Sequence, residues 1–192
     1  MATSKSSAER VILGIDPGTN IMGYGLIVER DVNRAEMLAL GVLELNKFDD
    51  HYTRLKIIFD RTISLIEQYH PAELAIEAPF FGKNVQSMLK LGRAQGTAIA
   101  AALSRSLAIY EYAPRKIKLA ITGQGGASKE QVALLLQRMF NIAEMPKNLD
   151  ATDGLAAAVC HFYQKKPQAD APTAHVAKSW KEFIANNPKR IK

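Results

Sequence analysis

The apolar run at residues 10–15 (R-V-I-L-G-I) constrains the fold of this chain more than any other stretch. Its apolar residues are consecutive rather than alternating with polar ones, which is typical of a strand buried on both faces of a sheet. The run ends on Asp16, and Pro17 and Gly18 follow at once. Because a buried carboxylate needs a partner for its charge, the sequence predicts a covered sheet with a charged group at one of its edges.

The rest of the hydrophobic pattern predicts an α/β chain of five strands and five helices. At residues 52–69 apolar side chains recur every three to four positions, as in an amphipathic helix, and Pro71 ends the pattern. Ser128 and Gln131 form a capping-box pattern that opens another helix. The predicted strands are 10–15, 23–28, 36–45, 73–77 and 107–112, and the predicted helices are 52–69, 87–104, 114–121, 128–140 and 148–163.

The 192 residues suit one domain, and no apolar run approaches the length of a membrane span, so no membrane association is expected. The first nine residues lack the apolar core of a secretory signal. The single cysteine, Cys160, cannot form an internal disulfide, which favours a cytoplasmic protein with a buried structural thiol. The histidines do not have a zinc-binding spacing, and His161 is expected to pack within the last helix.

The net charge of +6 is unevenly distributed along the chain. Residues 1–77 carry eight Lys or Arg against twelve Asp or Glu, whereas residues 78–138 carry nine against two. Residues 165–192 carry seven against two. A basic segment of this kind is the footprint of a protein that binds a phosphate backbone, but it also fits an ordinary solvated surface, and charge alone does not separate the two.

The predicted helix at 87–104 has apolar or small residues on nearly every side, most clearly at 94–103 (A-Q-G-T-A-I-A-A-A-L). A helix without a polar face is buried on several sides. Two explanations stay open at this point: a subunit interface, or a central helix that packs on the sheet.

Four carboxylates lie at the ends of predicted elements: Asp16, Glu77, Asp150 and Asp153. Each alone fits an ordinary role as a turn cap, a surface acid or a charge at a helix N-terminus. If the first and fourth strands are neighbours, two of these charges come close, and like charges ~4 Å apart repel by ~4 kcal/mol at an effective dielectric constant of 20. Such a cluster indicates a bound cation, and oxygen ligands favour Mg²⁺ or Mn²⁺. Two such ions would suit phosphodiester hydrolysis.

Four blocks of sequence together resemble the RuvC family of Holliday junction resolvases. They are G-I-D-P-G-T-N-I-M-G-Y-G at 14–25, A-I-E-A-P-F-F-G-K-N at 75–84, L-K-L-G-R-A-Q-G at 89–96 and D-A-T-D-G-L-A at 150–156. Their order and spacing agree with the family, and the resemblance covers residues 10–164. We therefore expect a flexible N-terminus at 1–9, a nuclease domain at 10–164 and a loosely ordered basic tail at 165–192.

The resemblance implies a ribonuclease-H-like fold, with a mixed five-stranded sheet flanked by helices. It implies a homodimer, joined through the helix near 87–104, that binds four-way DNA junctions in recombination and repair. It also implies paired, symmetric, metal-dependent cuts that leave 5′-phosphate and 3′-hydroxyl ends. The RuvAB branch-migration complex is a further candidate partner. The family's catalytic and metal-binding acids match Asp16, Glu77, Asp150 and Asp153.

Other positions match residues of the family that contact DNA. Phe80 matches an aromatic residue that stacks on bases near the branch point, and stacking needs an unpaired region. Lys118 and Lys129 match basic positions that serve DNA binding and catalysis. Charge alone adds further candidate phosphate contacts: Lys83, Lys90, Arg93, Arg115 and Lys116.

Three rival functions remain to be compared with this one. The segment G-I-D-P-G-T-N at 14–20 also resembles the phosphate-binding hairpin of the actin, sugar kinase and heat-shock chaperone group, but those proteins need two such domains. A module that binds junctions without cutting them leaves the complete set of acids unexplained, because unused clustered acids would repel DNA. A related nuclease of the same fold that acts on other branched DNA or RNA stays an open alternative.

Overall fold

The computed structural model describes residues 9–79 and 84–164. Within them, five strands form one mixed sheet in the order β3-β2-β1-β4-β5. The strands are β1 (Val11–Asp16), β2 (Ile21–Asp31), β3 (Arg34–Glu44), β4 (Glu73–Glu77) and β5 (Ala108–Tyr112). The helices are α1 (His51–Tyr69), α2 (Val85–Leu103), α3 (Pro114–Thr122), α4 (Lys129–Phe140) and α5 (Asp150–Gln164). All ten predicted elements and the predicted fold class are confirmed.

The sheet contains one antiparallel meander and one parallel part. β2 pairs antiparallel with both β1 and β3, whereas β4 pairs parallel with β1 and with β5. The predicted adjacency of the first and fourth strands is therefore correct. β2 is longer than predicted because its last residues, 29–31, lie beyond the buried part of the sheet and carry no apolar signal.

Each face of the sheet is covered by helices, as the uninterrupted apolar run in β1 predicts. On one face, the side chains of Leu13 and Ile15 pack in a core with residues of α1 and α2. On the other face, Ile12 and Ala75 pack in a second core with residues of α3, α4 and α5. Side chains alternate between the faces of a strand, so Asp16, two residues on from Gly14, projects on the α5 side.

Glycines let α5 lie directly on the strands. A Cβ atom at Gly14 would be 2.1 Å from the carbonyl oxygen of Gly154, and one at Gly23 would be 1.8 Å from the carbonyl oxygen of Asp150. No side chain fits at either contact, because both distances are far below van der Waals separation. Gly23 also pairs with Asp16 in the β1–β2 ladder. The close packing therefore holds the first turn of α5 beside the end of β1.

Several predictions concern residues outside the described ranges: the N-terminal residues 1–8, the tail 165–192, Phe80 and Lys83. They stay predictions. Cys160 and His161, by contrast, are fully buried in α5, as predicted. A search of the described helices finds none that is both long and apolar enough to cross a membrane.

Candidate active site

The parallel pairing of β1 and β4 brings two carboxylates to one edge of the sheet. Ile15 pairs with Ile76 in the ladder, so Asp16 and Glu77 are the next residues along at the carboxyl ends of neighbouring strands. Both side chains project on the α5 side of the sheet, since side chains alternate along each strand. Both line the same cleft.

The first turn of α5 adds two more carboxylates to this edge. Asp150 and Asp153 are three residues apart and therefore lie on one face of the helix. Carboxylate oxygens of Asp16, Asp150 and Asp153 all lie within 4.8 Å of one another, which is close enough for one ion to bind all three. Glu77 is outside this tightest group, although its charge acts on that of Asp16.

The cluster is electrostatically unfavourable without a cation. Burial, reinforced by the charges of Glu77 and Asp153, raises the pKa of Asp16 to about 8. Burial, again with the charge of Asp153, raises the pKa of Glu77 to about 7. Burial also raises the pKa of Asp153, while the charge of Lys129 opposes that shift. Carboxylates in such a setting bind protons or metal ions in preference to remaining unpaired.

A lysine from α4 lies against the two aspartates of α5. The Lys129 Nζ atom is 2.6 Å from Asp150 Oδ1 and 2.5 Å from Asp153 Oδ2. Burial alone would lower the pKa of this ammonium group, but its hydrogen bond to Asp150 and its ion pair with Asp153 raise it. Lys129 is the first residue of α4, and the predicted capping box of Ser128 and Gln131, which is confirmed, fixes where that helix begins.

The acids open into a cleft of about 630 Å³. One wall is basic, because Arg115, Lys118 and Lys129 line it together with the acids. The remaining lining is apolar or small: Pro17, Ala78, Pro79, Leu91, Ala113, Pro114, Ile117, Gly125, Val132 and Ala156. An acidic cluster beside a basic wall suits a substrate that brings phosphate groups to bound cations.

Comparison with known proteins assigns the chain to a family. The family model for crossover junction endodeoxyribonuclease RuvC matches residues 12–161. This chain belongs to the RuvC family. The RuvC of Christiangramia forsetii is 60% identical over 188 residues, which cover 96% of this chain and 94% of that protein. The RuvC of Bacteroides fragilis is 61% identical over 187 residues, with 96% and 97% coverage.

A solved RuvC structure has the same fold. The structure described as T. thermophilus RuvC in complex with Holliday junction substrate has a TM-score of 0.75 and 29% sequence identity. The match covers 82% of this chain and 95% of that one. The ribonuclease-H-like fold expected from the sequence is therefore confirmed, and RuvC nucleases depend on divalent metal ions, consistent with the acidic cluster.

The predicted DNA contacts fall into three groups in this RuvC protein. Lys118 and Lys129 lie in the cleft beside the acids. Lys90 and Arg93 are exposed on α2 and do not line the cleft. Burial, together with the charges of Arg93 and Lys90, lowers the pKa of His51 at the start of α1, so both charges lie near that residue. Phe80 and Lys83 lie outside the described residues.

Sequence reasoning missed Gln95, a buried polar residue of α2. Its Nε2 atom donates hydrogen bonds to the Glu77 carbonyl oxygen, at 3.3 Å, and to Glu111 Oε2, at 2.9 Å. The available signal was a lone glutamine within the otherwise apolar or small segment 94–103. A buried amide in such a helix needs partners, which points to a specific contact.

Proposed function

We propose that this RuvC protein is a structure-selective endonuclease that resolves four-way (Holliday) DNA junctions in homologous recombination and DNA repair. Cleavage occurs by paired, symmetric phosphodiester hydrolysis and leaves 5′-phosphate and 3′-hydroxyl ends. One observation carries the proposal: carboxylate oxygens of Asp16, Asp150 and Asp153 gather within 4.8 Å beside a basic cleft, in a chain of the RuvC family. The T. thermophilus relative in complex with Holliday junction substrate supports the choice of substrate.

The metal is Mg²⁺, for which Mn²⁺ substitutes, with two ions per active site during cleavage. Carboxylate oxygens are the ligands that these hard cations prefer. Asp16, Asp150 and Asp153 would hold metal, with Glu77 as the fourth ligand. The Lys129 ammonium group already shows that a positive charge fits between the two aspartates of α5. Bound metal would supply an activated water and would stabilise the leaving oxygen.

The lysines of the cleft favour the ionised form of the carboxylates that would bind metal. Burial raises the pKa of Glu77 and of Asp153; the charges of Lys129 and Lys118 oppose the rise at Glu77, and Lys129 opposes it at Asp153. Both lysines therefore favour the ionised carboxylates that a metal ion requires. They also offset the repulsion between the acidic cluster and an approaching phosphate backbone.

Contacts beyond the cleft orient the junction. Phe80 stacks on bases that the branch point leaves unpaired, and Lys83 lies in the same segment of sequence. Lys90 and Arg93 hold the phosphate backbone from α2, where both side chains are exposed. Stacking contributes ~1–3 kcal/mol per base, and phosphate contacts fix the position of the DNA without reading its sequence.

The protein acts as a homodimer through α2. This helix packs its inner face on α1 and β5, so part of its apolar surface belongs to the domain core. On its outer face, the exposed fractions of Val85, Leu89 and Leu103 are 66%, 52% and 57%. A two-fold dimer would present two active sites to a two-fold junction, which explains paired cuts. Residues 10–164 form the nuclease domain, and the basic tail at 165–192 is the candidate contact for RuvAB in the cytoplasm.

The test replaces one acid at a time. Asp16→Asn and Asp150→Asn should cut a four-way junction at least roughly 100-fold more slowly than the wild type, because even residues that only support metal ligands cost 10–100-fold when removed. Both variants should bind the junction as the wild type does, measured by fluorescence anisotropy without divalent metal. Asp60→Asn, which alters an exposed acid of α1 paired with Lys56, is the control and should cut normally. Wild-type cleavage by Asp16→Asn would refute the metal assignment.

A further inference from the structure

Gln95 connects α2 to the strand end that carries Glu77. The Gln95 side chain lies on the inner face of α2 beside Ala94 and Ala98, and only 7% of the residue is exposed. One amide group donates to both the Glu77 carbonyl oxygen and the Glu111 carboxylate. A buried amide with two partners is held in one orientation, because leaving either group unpaired costs free energy.

The bond from Gln95 reaches Glu77 from the side opposite its carboxylate. The Glu77 side chain projects toward α5, whereas α2 packs with α1 on the other face of the sheet. The strand ladder ends close by: the Ala78 N–H still donates to the Tyr112 carbonyl at 2.9 Å, and Pro79, which follows, has no N–H to donate. Gln95 therefore adds a hydrogen bond to the backbone of Glu77 at the last paired position of β4.

We propose that Gln95 is a positioning residue for metal binding and cleavage: it fixes the Glu77 backbone, and so directs the Glu77 carboxylate toward the acids of β1 and α5. The inference rests on the proposed function, since it takes Glu77 as a metal ligand. Gln95 touches neither metal nor DNA in this scheme. Gln95 affects metal binding through its hydrogen bond to the backbone carbonyl of Glu77, which is the proposed metal ligand.

The decisive variants remove the donor but keep the size of the side chain. Gln95→Met is unbranched and apolar, so it suits the buried site, and Gln95→Leu is a second apolar side chain that has no donor. Gln68→Met, at an exposed position of α1, is the matched control. Glu111→Gln keeps an acceptor for Gln95 and tests whether the second partner matters; it should stay within about twofold of the wild type.

Two measurements separate positioning from general structure. For Gln95→Met and Gln95→Leu, the Mg²⁺ concentration for half-maximal single-turnover junction cleavage should rise about 10- to 100-fold, as for other residues that orient metal ligands. Calorimetric titration of Mn²⁺ into the DNA-free protein should show a Kd higher by a similar factor. Junction affinity without metal, dimerisation and melting temperature should stay close to those of the wild type.

Unchanged Mn²⁺ affinity and Mg²⁺ dependence in either folded variant would overturn the inference. So would a loss of cleavage matched by equal losses of junction affinity or melting temperature, because that result describes a merely structural residue. If the wild type cuts no junction, the proposed function fails, whereas the Mn²⁺ titration still decides whether Gln95 controls the metal site. The two failures are thus distinguishable.

Discussion

At Asp16, stability conflicts with the proposed function. Its carboxylate is held at the end of a buried strand, where burial and the charges of Glu77 and Asp153 raise its pKa to about 8. The ion pairs of Lys129 reach Asp150 and Asp153, so they only partly offset the negative charge of the cluster. A carboxylate that costs free energy when ionised is kept for its chemistry rather than for the fold.

This conflict predicts how stability depends on pH without metal. The folded-state pKa of Asp16, about 8, and that of Glu77, about 7, lie above the ~4 of unfolded carboxyl groups. The folded protein therefore binds more protons than the unfolded chain between those values, and its free energy of unfolding falls as pH rises from about 4 to about 8. Asp16→Asn should flatten this decline and, at pH 8, stabilise the metal-free protein by at least about 1 kcal/mol.

Urea unfolding in EDTA across this pH range checks the prediction. Asp60→Asn, an exposed acid remote from the cleft, should show the same decline as the wild type. A decline of equal steepness in Asp16→Asn would mean that this carboxyl group does not titrate abnormally.

Among the elements, α2 combines two structural tasks on its two faces. Its inner face packs small residues, Ala94, Ala98 and Ala102, on the sheet side of the domain core. Its outer face carries the exposed apolar side chains of Val85, Leu89 and Leu103. Packing on the domain core therefore explains the apolar residues of the inner face, whereas the subunit interface on the outer face stays a proposal.

The proposed dimer contact on the outer face of α2 predicts the effect of a charge placed there. Leu103→Glu should weaken dimerisation roughly 100-fold or more, because an unpaired charge buried in an interface costs several kcal/mol. Leu134→Glu, at a leucine of α4 that is 47% exposed, is the matched control and should leave the dimer intact. Sedimentation velocity over a range of protein concentrations measures both. Equal association of the two variants would place the dimer contact elsewhere.

The elements were predictable where apolar periodicity is strong. β1 and α1 have clear patterns, and the acids at the ends of β1 and β4 could be placed together once those strands were taken as neighbours. The ion pairs of Lys129 and the hydrogen bonds of Gln95 could not be predicted. Each contact depends on how closely a helix approaches the edge of the sheet. That distance is set by packing, such as the glycine contacts of α5, and packing leaves no periodic signal in the sequence.

At the scale of the whole molecule, the site lies where three separate parts of the chain meet. β1 and β4 end at one edge of the sheet. Glycines in β1 and β2 leave room for α5 to pack closely against that edge. The basic residues of α3 and α4 form a wall of the same cleft. Acids from β1, β4 and α5 thus meet basic residues of the segment 78–138, which gives a cleft with both signs of charge, as suits a metal-dependent nuclease whose substrate is a phosphate backbone.

Cleavage of a synthetic four-way junction, compared with a linear duplex of matched sequence, tests the central claim most directly. Purified protein is incubated with each DNA and Mg²⁺, and the products are resolved on denaturing gels. We expect paired, symmetric nicks in the junction that ligase can seal, little cutting of the duplex, and no cutting of either DNA in EDTA. Equal cutting of both DNAs, or cutting of neither in Mg²⁺, would contradict the account.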